Sequence, residues 1–335
     1  MNRPQRIVVY RLGSLGDTVV ALPCLHRIAE SFPEAERIML TNLPVSAKAA
    51  PLEAILGGSG LVHRFMAYPV GTRSFGTLSR LAAELRALRA EVLVYLTPPR
   101  GLPAAWRDVL FFRLCGFRRI VGAPLAADLQ HPRRGADGTL ERECERLARC
   151  LQTLGPIDLD RAGAWDLRLS DAERAEAQRW LAPLNGGPRI AINMGGKLAS
   201  NDWGVQRWTQ LLQRLAAGFG THALMIVGGP EDAARADAVT AGWPAPVLNL
   251  CGRVGPRVSA AAMAGSVLFI GHDSGPLHLA AAMQVDCVGL FGNNNEPCKW
   301  HPRGAGHRII HEMRGVPAIE VDTVVQAVRQ RLGTA

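Results

Sequence analysis

Short apolar runs alternate along the chain with longer stretches in which apolar residues recur every three or four positions. Arg6–Leu12 (RIVVYRL) is a run of the first kind and predicts a strand covered on both faces. Thr18–Phe32 repeats at helical spacing. Arg37–Thr41, Val92–Thr97 and Arg119–Gly122 predict further strands, and Thr77–Leu88, Leu102–Leu114 and Leu140–Leu154 predict helices. A strand-then-helix order with apolar strands implies an α/β fold, a parallel sheet with helices on both faces.

The turn-rich stretch Gly155–Trp165 interrupts this order. Ser170-Asp-Ala-Glu173 then has the form of a capping box and predicts a helix running to Leu181. A second series follows, with strands at Arg189–Asn193, Ala223–Val227, Val247–Leu250, Val267–Gly271, Val288–Phe291 and Arg308–His311. Helices are expected between them at Val205–Ala217, Glu231–Thr240, Val258–Ala264 and Leu277–Met283, with a final amphipathic helix at Asp322–Leu332. The reading is two α/β domains, residues 1–165 and 166–335, with the last helix packing back on the first domain. The C-terminal ends of the two sheets are expected to face a central cleft, where such folds bind ligands.

Composition narrows the class. The chain has 335 residues, 48% hydrophobic and 20% charged, which is ordinary for globular domains. No apolar run approaches the ~20 residues of a spanning helix, and the N-terminus lacks a signal-peptide pattern, so a cytoplasmic protein is expected. The seven cysteines have no CxxC spacing, and no His, Cys and carboxylate cluster has metal-ligand spacing, so reduced thiols, no metal and no cofactor are expected. The net charge is +9. Residues 1–165 carry 22 basic and 15 acidic side chains, residues 166–335 carry 16 and 14. An Arg-rich first half suits phosphate or anionic-lipid partners. No RNP-like aromatic motif or helix-turn-helix pattern points to nucleic acid.

Four glycine-containing turns at strand ends carry the candidate chemistry. Gly13-Ser14-Leu-Gly16-Asp17 joins the first strand to the first helix. Its glycines let a ligand approach the backbone and free helix amides, while its spacing fails the dinucleotide pattern GxGxxG. Asp17 either satisfies its own helix or serves as a general base. His272-Asp273-Ser274-Gly275-Pro-Leu-His278 follows the strand VLFIG, with Pro276 suited to the first helical position. Free amides, a hydroxyl and His278 there suit a diphosphate, and Asp273 suits the hydroxyls of a sugar.

Asn193-Met-Gly-Gly-Lys197 holds one of only three lysines in the chain and is not a Walker A loop. Val227-Gly-Gly-Pro-Glu231 offers a carboxylate for ribose hydroxyls, or a helix-start Glu favoured by the dipole. The loop Phe291-Gly-Asn-Asn-Asn-Glu-Pro-Cys-Lys-Trp300-His-Pro is either a pocket lining or plain surface. In the first half, Arg73, Arg100 and Arg107 are possible phosphate contacts. Trp203 and Trp208 read as packing residues. A GxSxG elbow is absent, which removes the main motif of a serine hydrolase.

RIVVYRLGSLGDTVVALPCLHRI resembles the start of glycosyltransferase family 9, and VLFIGHDSGPLHLAAAMQVDCVGLFG resembles its second signature. The resemblance implies a GT-B fold of two Rossmann-like domains, acceptor on the first and nucleotide-sugar donor on the second. It implies inverting, metal-independent transfer, most simply of a heptose from ADP-heptose to a lipopolysaccharide core or related glycan. By position, Asp17 takes the place of the catalytic aspartate. Asp273, Ser274, Gly275 and His278 take the donor-binding places, and Glu231 that of the donor-domain glutamate. The family's KxWP stretch reads Ser200-Asn-Asp-Trp203-Gly here, so Asn201 stands where the lysine would be and Lys197 is the nearby cation. FGNNNEPCKWHP departs from the family's FGPTxP form. An anionic glycolipid acceptor implies peripheral association with the inner face of the cytoplasmic membrane. The alternatives are another GT-B enzyme, such as a nucleotide-sugar epimerase or a transferase with a different donor, and a sugar-nucleotide binding protein. Asp17 argues against mere binding, which needs no base.

Overall fold

The computed structural model describes residues 4–43, 50–161, 163–196 and 199–333. The chain divides into two compact units, Met1–Arg168 and Leu169–Ala335. The first runs β1 (Arg6–Tyr10), α1 (Leu15–Val20), α2 (Leu22–Ser31), β2 (Glu36–Asn42), α3 (Glu53–Leu56), β3 (Arg64–Tyr68), α4 (Phe75–Ala87), β4 (Val92–Tyr95), α5 (Leu102–Leu114), β5 (Arg119–Val121), α6 (Ala127–Gln130) and α7 (Glu143–Cys150). Its sheet is parallel in the order β3-β2-β1-β4-β5, with Val8 opposite both Ile38 and Leu93. Burial of Val8, Tyr10, Ile38, Leu40, Leu93 and Tyr95 against Leu81, Leu85 and Phe112 forms the core on the α4–α5 side.

The second unit runs α8 (Asp171–Leu181), β6 (Arg189–Asn193), α9 (Val205–Phe219), β7 (Ala223–Ile226), α10 (Ala233–Thr240), β8 (Val247–Asn249), α11 (Pro256–Met263), β9 (Leu268–His272), α12 (Gly275–Ala282), β10 (Cys287–Phe291), β11 (Arg308–His311) and α13 (Val321–Leu332). Its parallel sheet has the order β11-β10-β9-β6-β7-β8, with Ile192 opposite Ile226 and Ile270. The predicted capping box opens α8: the Ser170 amide and hydroxyl donate to Glu173 at 2.7 and 2.9 Å. The final helix α13 buries Val321, Val324, Val325 and Val328 in this unit's core.

Two expectations change in physical detail, and one strand is added. Thr18–Phe32 is two helices, because Pro23 has no N–H for the Val19 carbonyl and the chain turns at Ala21. β3 went unpredicted: it is an edge strand whose RFMAY is half-exposed, so it lacks an apolar run. The helix expected from Leu140 begins at Glu143, since Leu140 bridges Arg134 in an antiparallel pair. The seven cysteines are free thiols, six of them buried.

Trp203 and Trp208 are packing residues, both fully buried and edge-to-face at 5.2 Å. The Trp203 indole donates to the Ile319 carbonyl at 2.8 Å, which ties the loop after β6 to the entry of α13. Trp203→Ala should cost about 3–5 kcal/mol in urea unfolding, as large-to-small core changes do. A loss under about 1 kcal/mol would contradict this packing role.

Candidate functional site

In a doubly wound sheet the strand order reverses at one point, and the crevice outside the strand ends there is where ligands bind. In the first unit that point lies between β1 and β4, in the second between β6 and β9. A polar side chain bridges each.

In the first unit the bridge is Arg11, wholly buried just past β1. One Nη donates to the Leu96 carbonyl beyond β4 at 2.8 Å, and the other donates to the Asp17 carbonyl in α1. Burial pushes the guanidinium pKa down, and the charges of Asp17 and Glu143 oppose that shift. Its Nε has no hydrogen-bond partner among the described residues. Beside it, Arg146 and Glu143 form a fully buried pair at 2.6 Å, and Arg146 also donates to the Thr97 carbonyl at 3.1 Å.

Asp17 is the third residue of α1, with Ser14 as N-cap. Its carboxylate folds back over the turn and accepts the Ser14 amide at 2.8 Å and the Ser14 hydroxyl at 2.9 Å. The helix-satisfying role is thus present, and the half-buried carboxylate stands at the same strand end as a general base would. Gly13 makes the fold-back feasible. Its φ is +133°, its amide donates to Asn42 Oδ1 at 2.9 Å, and a Cβ there would lie 2.5 Å from the Asp17 Cβ. Gly13, Ser14, Gly16 and Asp17 therefore form one turn.

Arg100 and Arg107 converge on the inward-facing Asp108 of α5. Arg100 pairs with Asp108 Oδ2, and Arg107 pairs with Oδ1 at 2.9 Å. All three tyrosines of the chain close this cluster. The Tyr95 hydroxyl donates to Asp108 Oδ2 at 2.9 Å, Arg100 donates to the Tyr10 hydroxyl at 3.1 Å, and the Tyr10 and Tyr68 hydroxyls meet at 2.7 Å. Burial pushes all three phenols up, so they stay neutral. Two arginines sharing one carboxylate leave donors for a further anion. Arg73 is exposed in the turn before α4, apart from that cluster's hydrogen bonds.

In the second unit the bridge is Asn193, at the end of β6. The Ser274 hydroxyl donates to Asn193 Oδ1 at 2.9 Å, and Asn193 Nδ2 donates to the Val227 carbonyl at 2.9 Å. Ser274 is the N-cap of α12 and Gly275 its first residue, so Pro276 is second rather than first. His278 is buried one turn in. The Asp273 carboxylate accepts Asn295 Nδ2 at 2.8 Å, which links the strand end to the loop after β10. Asp273, Ser274, Gly275 and His278 are thus brought together.

Glu231 lies exposed in a 3-10 turn, Pro230–Asp232, before α10. Its neighbour Asp232 is the acid turned inward. It accepts the Gly229 amide at 3.0 Å, and a Cβ on Gly195 or Gly228 would stand 2.1 or 2.6 Å from its Oδ2. Lys197 lies outside the described residues. Asn201 is buried, and Asn294 Nδ2 donates to its Oδ1, so the FGNNNEPCKWHP loop closes on that position and is more than plain surface.

Sequence reasoning missed Arg11, Asn193, Asp108 and Asp232. Each had a signal: a polar residue ending an apolar strand, a lone acid on the buried side of a helix, or an acid just after a Gly-Gly-Pro turn. Among the described residues no group of three or more His, Cys, Asp or Glu is placed to hold a metal.

A sequence model of glycosyltransferase family 9 (heptosyltransferase) matches residues 125–320. No curated protein matches the chain in sequence. In fold the chain is similar to the glycosyl transferase family 9 structure from Veillonella parvula, at 20% identity and TM-score 0.73, over 98% of this chain and 97% of that one. It is similar to E. coli ADP-heptose lps heptosyltransferase II at 17% identity and TM-score 0.66, over 98% of each chain. A third likeness is to E. coli heptosyltransferase WaaC with ADP-2-deoxy-2-fluoro heptose, at 16% identity and TM-score 0.68, over 97% and 99% of the two chains. The fold is α/β of the GT-B type, as these likenesses show.

His272 supplies a pH test of the second unit. It is fully buried at the end of β9, edge-on to Trp208 at 5.5 Å. Burial pushes its imidazole down to about 4, the charge of Asp202 offsetting part of the shift. Below about pH 6.5 the unfolded chain takes up a proton that the folded chain refuses. The stability held by the neutral ring is therefore full above pH 6.5 and falls by up to about 3 kcal/mol as pH drops toward 4. Unfolding free energies measured between pH 4 and 7 should lose about one proton of slope in His272→Phe. An unchanged slope would contradict the neutral buried state.

Proposed function

From the premise that the chain belongs to glycosyltransferase family 9 and is a glycosyltransferase, we propose that it moves a heptose from ADP-heptose to a lipopolysaccharide-core or related anionic glycan. The transfer is inverting and needs no metal. The observation that carries this reading is the Asp17 carboxylate, held at the first unit's switch point by the Ser14 amide and hydroxyl. Asp17 removes the proton of an acceptor hydroxyl. That oxygen then bonds to the anomeric carbon on the face opposite the leaving diphosphate. The bond from that carbon to the diphosphate oxygen breaks, and its electron pair leaves with the nucleotide.

In this reading the donor lies on the second unit, residues 166–335, and the acceptor on the first, residues 1–165. The free amides at Ser274 and Gly275, with His278, face the departing diphosphate, where a helix N-terminus favours negative charge. Lys197 adds its charge to the same phosphates. Asp273 and Glu231 take sugar or ribose hydroxyls. Arg100 and Arg107, oriented by Asp108, take an acidic group of the acceptor, and Arg73 a second one. Two named neighbours support the choice of donor: the E. coli ADP-heptose heptosyltransferase II and the E. coli heptosyltransferase with a fluorinated ADP-heptose. No helix of the described residues is long and apolar enough to cross a membrane. In this reading a lipid-linked acceptor is met by peripheral association on the cytoplasmic side.

Asp17→Asn keeps the size and most hydrogen bonds of the side chain and removes its basicity. It should lower kcat by about 10²–10⁴, the usual contribution of a general base, and leave the Kd for ADP within about twofold of wild type. Transfer at near-normal rate would overturn the role of Asp17. Product formed from ADP-heptose without any acceptor would point to an epimerase instead.

A further inference from the structure

Helix α5 is apolar on two sides. It packs on its own sheet through Ala105 and Phe112, with Asp108 turned into the cluster described above. Its opposite side carries Trp106, Leu110 and Leu114, 57%, 62% and 66% exposed. Scattered exposed leucines are ordinary, but residues at i, i+4 and i+8 line one face of a helix and make a continuous stripe. A helix that is apolar all round has a second surface to bury.

The stripe is bordered by positive charge. Arg107 and Arg113 lie on α5 itself, both exposed, and Arg118 and Arg119 follow it, also exposed. Arg86 of α4 donates to the Leu114 carbonyl at 3.1 Å and so stands at the stripe's C-terminal end. The one acid of α5, Asp108, is buried on the other side. Of the flanking arginines, Arg107 pairs with Asp108 at 2.9 Å and Arg118 with the exposed Glu91 at 3.1 Å.

We propose that this face of α5 docks the protein on an anionic phospholipid membrane surface. A second copy of the chain would set the same arginines against one another, and like charges across an interface are unfavourable. An anionic bilayer complements them. Trp106 suits the headgroup level, the two leucines reach the acyl boundary, and the arginine stems cover apolar surface while their guanidinium groups stay among the phosphates. The juxtamembrane charges add attraction that salt weakens. The docked helix also carries Arg107 and Asp108, so it would hold the acceptor-binding cluster next to the surface where a lipid-linked acceptor is presented. In that last point the inference rests on the proposed function; the docking itself does not.

The test is vesicle flotation of the full-length protein without donor or acceptor. Vesicles of phosphatidylcholine are compared with vesicles holding about 30% phosphatidylglycerol. Binding to the anionic vesicles should be at least about tenfold stronger, and should weaken in high salt. The variant W106S/L110S/L114S, changed only at exposed positions, should lose at least about tenfold of that binding. R113Q/R118Q should lose the preference for anionic lipid. The urea-unfolding midpoint of each variant should match that of wild type, which shows intact folding. Equal binding to neutral vesicles, no binding to either, or unaltered binding by the serine variant would overturn the proposal. So would a dimer in light scattering that the serine variant disperses, since the stripe would then belong to a second copy. Because no sugar transfer is read, failure here leaves the proposed reaction standing, and failure of the reaction leaves the docking standing.

Discussion

Parallel strands covered on both faces leave little room for polar side chains except where they stop, and the points where strand order reverses are the widest such openings. Arg11 and Asn193 occupy those two points. Arg11 bonds the backbone beyond β4 and the backbone of α1, so the turn that presents Asp17 is fixed to the sheet. Asn193 accepts the Ser274 hydroxyl and donates to the Val227 carbonyl, so the N-terminus of α12 is fixed to β6 and to the end of β7. Each bridge consumes hydrogen-bonding capacity that would be costly to leave unmet in a buried place.

The two bridges differ in charge, and the chemistry around them differs likewise. Beside Arg11 lies a buried ion pair, Glu143–Arg146, and the same unit holds the Arg100–Asp108–Arg107 cluster. Around Asn193 lie an amide, a hydroxyl, a neutral His272 and free helix amides. A charged half suits an acceptor bearing acidic groups and a proton to be removed. A half built from neutral donors suits a diphosphate, whose own charge finds amides and a helix dipole. Glycines make both possible: Gly13 lets Asp17 fold back, and Gly195 and Gly228 leave room for Asp232.

Much of this was legible in the sequence. Buried parallel strands read as apolar runs, so RIVVY and RIAIN matched the structure nearly to the residue. Glycines between a strand and a helix marked both turns. What escaped has tertiary causes. β3 is half-exposed at a sheet edge and shows no run. Tyr10, Tyr68 and Tyr95 meet from strands far apart in the chain, and nothing local marks that meeting. Asp108 sits in an apolar helix as an isolated acid, a sign legible only once the buried side of α5 is known. Asn201 marks a departure from the family's pattern, and the structure gives it a partner in Asn294.

The most direct measurement is a thermal-shift titration of the protein with ADP, UDP, GDP and CDP in EDTA. A ligand that binds only the folded state at about 100 times its Kd adds about 3 kcal/mol of stability. A nucleoside diphosphate held by the amides of α12 predicts a concentration-dependent rise in Tm that is largest for ADP and reduced in Ser274→Ala. No rise with any of the four nucleotides would contradict the donor site, and with it the central claim that this strand-order reversal holds a nucleotide sugar.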